Sequence, residues 1–153
     1  VREGRFQVIW QTGKYYEREM DEFMRGRDVR GIWRGAFIER MDLAYAAADV
    51  VVARSGAGTV SELCLVGKAV VFVPSPNVAE DHQTKNAMAL ADRGAALVVP
   101  DREAVARVFS EVGRLLADDA VRSEMEKNIR ALAVADSADR VADEILKVVK
   151  RSE

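Results

Sequence analysis

An α/β domain with a parallel, Rossmann-like sheet and helices on both faces is predicted from three observations. Short apolar runs rich in β-branched residues alternate with segments of helical periodicity, as strands joined by right-handed crossovers require. The run "DVVVAR" (49–54) is almost continuously apolar, as in a parallel strand covered on both faces. The glycine and polar residues gather on the connections leaving the carboxyl ends of the strands, whereas the opposite connections, such as "VGK" and "DRG", are short and plain. In open parallel sheets, ligands sit beyond the carboxyl ends of the strands.

The elements follow in order. "FQVIWQ" (6–11) reads as a strand ended by Thr12-Gly13. "KYYEREMDEFM" (14–24) fits an amphipathic helix with Tyr16, Met20, Phe23 and Met24 on one stripe. "VRGIWRG" (29–35) is a second strand, and "MDLAYAAA" (41–48) is a helix of good formers. After the third strand, "TVSELCLVG" (59–67) is a helix with Gly67 placed for a left-handed cap. "AVVFVP" (69–74) is a fourth strand, "QTKNAMALADRG" (83–94) a helix with the same glycine stop, and "AALVV" (95–99) a fifth strand. Three helices complete the chain. The first puts Val105, Val108, Phe109, Val112 and Leu116 on one side; the last puts Ala138, Val141, Ala142, Ile145, Val148 and Val149 on one face. The basic end, Lys147, Lys150 and Arg151, suits a helix C-terminus.

At 153 residues the chain suits one domain with a real core. Its net charge of -2 lacks the basic excess that bulk nucleic-acid or anionic-membrane binding needs. The lone Cys64, in "LCLVG", reads as a small core residue, and one histidine with one cysteine cannot build a Cys/His metal site. No apolar stretch is long enough to span a bilayer and there is no signal-peptide pattern, so a cytoplasmic setting is expected. The sequence opens almost at once on a strand, without Met, which reads as a piece of something longer or as a trimmed chain.

Three connections lie at the predicted carboxyl ends: 35–40, 54–59 and 74–82. In the second, Gly56 and Gly58 allow positive φ and close backbone approach, and the helix that follows offers unpaired N–H groups suited to a phosphate. The spacing is neither a Walker A nor a full G-x-G-x-x-G, because Ser61 stands in the last glycine's place. Thr59-Val-Ser-Glu62 also forms a regular capping box, toward which the local pattern alone leans. Arg54 could meet a diphosphate or pair with Asp49 or Glu62. The third connection crowds Asn77, Glu80, Asp81, His82, Gln83 and Asn86 between prolines and a helix start. These groups suit either hydroxyl recognition, as on a sugar, or capping by Asp81.

The stretch "ADVVVARSGAGTVSELCLVGKAVVFVPSPNVAEDHQTKNAMALADRGAA" closely resembles the C-terminal half of the lipid II-forming GlcNAc transferases, undecaprenyldiphospho-muramoylpentapeptide β-N-acetylglucosaminyltransferases of the GT-B fold. The resemblance covers nearly the whole chain, from "VIWQTGK" to "ADRVADEI". It implies a donor-binding domain over 1–153 and an inverting transfer of GlcNAc from UDP-GlcNAc to lipid I, without a metal. By the same resemblance Ile38 lies against uracil, and Ser55, Gly56, Ala57, Gly58 and Thr59 surround the diphosphate, with Arg54 as charge partner. Glu62 takes the ribose hydroxyls, His82 and Gln83 face GlcNAc, and Asn86 supports their turn. The family's preceding strand, its Gly-Gly-Ser loop and its N-terminal acceptor half, with the membrane-facing patch, are absent from this sequence. No catalytic residue is therefore assigned, the chain alone is expected to be inactive, and an exposed sheet edge would favour self-association. Two other readings stand beside this one: a stand-alone donor subunit working with a separate membrane acceptor subunit, and a non-catalytic nucleotide-binding module.

Overall fold

The computed structural model describes residues 6–77 and 81–150. Glu80 and Arg151 lie outside the described residues, as do the side chains of Ala138 and Lys150. The chain divides into two compact units, Val1–Ala47 and Ala48–Glu153.

In the first unit, β1 (Val8–Gln11) and β2 (Ile32–Gly35) pair in parallel, with Val8 opposite Ile32. Their crossover carries a 3-10 turn (Lys14–Tyr16) and helix α1 (Glu17–Met24), so the helix read from 14 begins one turn later. The turn is entered through Gly13, whose φ of +76° is in the left-handed region. Phe23, on the stripe read from the sequence, is exposed, with the Arg27 guanidinium 4.2 Å above its ring. Helix α2 (Met41–Ala47) closes the unit.

In the second unit, β3 (Val50–Ala53), β4 (Ala69–Phe72) and β5 (Leu97–Val98) form a parallel sheet in the order β3-β4-β5. The central strand is the one buried on both faces: Ala69, Val70, Val71 and Phe72 are all at 0% exposure. The longer apolar run at 49–54 carried that expectation, but among the described residues β3 pairs only with β4, and Val52 is 46% exposed. Helices α3 (Ala57–Val66) and α4 (His82–Ala91) connect the strands. Helix α3 ends where Gly67, at φ +68°, donates to the Leu63 carbonyl (2.9 Å), and Gly94, at φ +63°, turns the chain from α4 toward β5.

Helices α5 (Ala104–Ala117) and α6 (Asp119–Arg130) complete the core, where Val71, Val73 and Val99 meet Leu115 and Met125. The buried face of α5 is Ala104, Val108, Val112 and Leu115, a rotation from the stripe read in the sequence. Val105 and Phe109 point to solvent, at 99% and 68% exposure. Helix α7 (Ser137–Lys150) forms where its periodicity places it, but Val141, Ile145, Val148 and Val149 are exposed. Lys147 meets Glu144 one turn back (2.7 Å). Cys64 is buried, as a small core residue should be, and that burial pushes its thiol pKa up.

Candidate functional site

The carboxyl ends of β3, β4 and β5 lie side by side, and their last rungs are the Val73 N–H to the Ala53 carbonyl and the Val99 N–H to the Phe72 carbonyl, each 2.9 Å. Beyond them the chain makes its turn into α3. Ser55 is fully buried at the root of that turn. Its hydroxyl donates to the Gln83 main-chain carbonyl (2.8 Å), and its own carbonyl accepts from Asn86 Nδ2 (3.1 Å). The Gln83 side-chain Oε1 in turn accepts the Ser75 N–H (2.9 Å). Ser55, Ser75, Gln83 and Asn86 thus tie the turn after β3, the segment after β4 and the start of α4 into one network. Such networks fix geometry because each buried polar group has its partner.

Helix α3 starts two residues earlier than its hydrophobic pattern indicates. Gly56 is its N-cap, at φ −62° and ψ 149°, and no side chain caps it. Thr59 and Glu62 are therefore helical residues, and the capping box read at Thr59-Val-Ser-Glu62 does not form. The first bond of the helix runs from the Val60 N–H to the Gly56 carbonyl (2.9 Å). Among the described residues the N–H groups of Ala57, Gly58 and Thr59 have no protein acceptor. Ala57 and Gly58 are exposed. These are the orphan donors of a helix start, at the positive end of its dipole.

The glycines act here through space rather than torsion. Neither Gly56 nor Gly58 adopts positive φ, contrary to the use expected of them. A Cβ at either would meet nothing within 4 Å, so the backbone is open to close approach. Glu62 lies one turn below Gly58 on the same exposed face of α3. His82 opens α4, also exposed, and is preceded by Asp81 in the left-handed region at φ 51°. Asp81 does not cap the helix backbone as expected; its carboxylate accepts from the Thr84 hydroxyl (2.7 Å).

Arg54 takes neither of the carboxylates considered for it. Its guanidinium binds Asp101, just past β5, and the carbonyls of Val73 and Pro74. Asp101 and Ser75 are the polar residues that sequence reasoning did not single out. A signal for Asp101 existed: it follows the carboxyl end of the fifth strand, a connection equivalent to those already scrutinised. Ile38 belongs to the first unit, where its N–H donates to Gln11 Oε1 (2.9 Å). Among the described residues no group of three or more His, Cys, Asp or Glu side chains could hold a metal ion, and no helix is long and apolar enough to cross a membrane.

The start of α3 can therefore present three main-chain donors to an anion, beside the network that holds the Gln83 and Asn86 amides. Comparison with known proteins gives this arrangement a context. Residues 1–141 match the glycosyltransferase family 28 C-terminal domain. A UDP-N-acetylglucosamine--N-acetylmuramyl-(pentapeptide) pyrophosphoryl-undecaprenol N-acetylglucosamine transferase of Parabacteroides distasonis is 47% identical over 145 residues, which are 95% of this chain and 39% of that protein. The same-named protein of Bacteroides thetaiotaomicron is 48% identical over 145 residues, 94% of this chain and 39% of its own length. The chain thus spans well under half the length of these relatives. The crystal structure of Acinetobacter baumannii MurG superposes with a TM-score of 0.78 at 33% identity, covering 92% of this chain and 41% of that one.

Proposed function

The chain belongs to the family of glycosyltransferase family 28 C-terminal domains, and from that premise we propose that it is the UDP-GlcNAc-binding portion of an inverting GlcNAc transferase acting on lipid I. The observation that carries the proposal is the open start of α3: three amides, at Ala57, Gly58 and Thr59, lie without a capping side chain beside the Ser55–Gln83–Asn86 network. A diphosphate is the anion that such a cradle suits, since main-chain donors and the helix dipole both favour negative charge there.

In this reading the acceptor 4-hydroxyl attacks the anomeric carbon of GlcNAc from the face opposite the departing UDP. Charge then grows on the diphosphate, and the pre-oriented amides stabilise it without reorganising. Glu62, on the exposed face of α3, accepts from the ribose hydroxyls. His82 and Gln83 face the sugar from the start of α4, and Asn86, bonded to the Ser55 carbonyl, supports their turn. No step assigned to this chain needs a metal. The general base, the binding of the lipid-linked acceptor and contact with the cytoplasmic membrane face are assigned to no residue of this chain.

Calorimetric titration with UDP and UDP-GlcNAc tests the reading. The chain should bind both, and Glu62→Ala should weaken both by removing one carboxylate acceptor, about tenfold for a hydrogen bond of roughly 1.5 kcal/mol to a charged group. Absence of heat with UDP, or unchanged affinity in Glu62→Ala, refutes the site. The nucleotide-module reading instead predicts equal affinity for UDP and UDP-GlcNAc, insensitive to changes at Gln83.

A further inference from the structure

Arg54 stands beside the anion cradle, one residue before Ser55, and although its side chain is 54% exposed, its Nη1 is committed to protein acceptors. A single nitrogen, Nη1, donates to the Val73 carbonyl (3.0 Å), the Pro74 carbonyl (3.2 Å) and the Asp101 carboxylate. These acceptors lie past the last rungs of the sheet. Pro74 has no N–H to continue the ladder, and beyond it the strands separate. Arg54 supplies the donor that the sheet no longer can, and Asp101 holds the cation against both carbonyls. One side chain therefore joins the carboxyl ends of β3, β4 and β5.

The position of this staple gives it a reach beyond the sheet. Pro74 leads directly into Ser75, whose N–H is held by Gln83 Oε1. Gln83 in turn accepts the Ser55 hydroxyl through its main chain. The staple and the Ser55 network thus fix the same short segment from two sides, and that segment flanks the turn that presents the three amides. The Asp101 carboxylate also offsets the charge of Arg54, so the pair adds little net field at the cradle.

We propose that Arg54 and Asp101 are positioning residues of the donor site, setting the Pro74–Ser75 segment and the turn into α3, and that Arg54 is not the counter-charge of the bound diphosphate. This inference rests on the donor-site reading above. It makes a prediction of opposite sign to the counter-charge alternative. If Arg54 served the anion directly, neutralising Asp101 would release a cation and tighten binding. If the pair positions the site, the same change loosens it.

The test is calorimetric titration of UDP into the full chain and its Asp101→Asn and Arg54→Met variants at two salt concentrations. Amide hydrogen exchange at Ser75 is followed alongside, without ligand. Asp101→Asn should weaken UDP binding about three- to tenfold, in the range of coupling within one hydrogen-bond network. Arg54→Met should weaken it while leaving its salt dependence that of the parent, because no ligand-facing charge is lost. Exchange at Ser75 should accelerate in both variants. Equal or tighter binding by Asp101→Asn, or a flattened salt dependence in Arg54→Met, overturns the proposal while the donor site stands. A parent chain that gives no heat with UDP removes the donor-site reading instead, and unchanged Ser75 exchange in the variants then removes the staple as well.

Discussion

Replacing Gly56 by aspartate should stabilise the fold and abolish most anion binding in one step. Gly56 has φ −62° and ψ 149°, an extended conformation open to any residue, and a Cβ there would meet nothing within 4 Å. The substitution removes the unfolded-state freedom of glycine, about 0.4–1 kcal/mol. An aspartate N-cap adds a few tenths over glycine by accepting from the amides of α3. The sum is about 1 kcal/mol, or a rise in Tm of about 2–4 °C for a chain of this size. The same carboxylate occupies one of the three open donors and places a negative charge where the diphosphate would lie. Loss of one hydrogen bond to a charged group, about 1.5–3 kcal/mol, weakens UDP at least tenfold before repulsion is counted. Thermal unfolding and calorimetric titration on the same preparations read both effects, with Gly56→Ala as the control that keeps the donors open. A higher Tm with undiminished UDP affinity would refute the reasoning, because the capped amides would then be irrelevant to the ligand.

Other consequences concern the scaffold. Gly67→Ala puts a Cβ at φ +68° against the Arg130 guanidinium, which donates to the Gly67 carbonyl (3.3 Å). It should lower stability by about 1–3 kcal/mol in urea unfolding, given about 1–2 kcal/mol for the left-handed conformation alone. The hydrogen bond from Arg107 holds the Glu103 carboxyl below the usual carboxylate range. The folded pKa is depressed, so this stabilisation is complete above the unfolded value, about 4.3, and is lost as pH falls through the folded value. Glu103→Gln should therefore unfold at lower temperature than the parent at neutral pH, with the gap closing in acid. Cys64, buried with a raised pKa, should react with a thiol reagent only as fast as the fold opens; rapid labelling of the native chain would contradict its burial.

Much of this architecture was legible in the sequence, because hydrophobic periodicity and glycine stops carry physical causes. "AVVF" at 69–72 reads as a buried strand and is one, and Gly67 reads as a left-handed stop and adopts that conformation. Which strand is most covered was not legible, since a run of valines records apolarity and not the number of neighbours. The face of α5 was misjudged because Ala104 is small and Val105 and Phe109 are large, while burial follows where β4 and α6 happen to lie. The turns after the strands fall where the sequence puts them, but α3 starts two residues before its apolar pattern does. Ala57 and Gly58 carry no apolar period, so a pattern read from side chains cannot see a turn made by the backbone. The partner of Arg54 lies 47 positions away along the chain, beyond any local rule.

The contact between Ser75 and Gln83 also settles a direction. A main-chain N–H can only donate, so the oxygen of that carboxamide must face Ser75 and its NH2 group must point the other way. The NH2 of position 83 therefore keeps its donors for a ligand, while one of the two lone pairs on its oxygen is already taken by Ser75. A guest that offers oxygen lone pairs to those donors is favoured there over one that offers only protons.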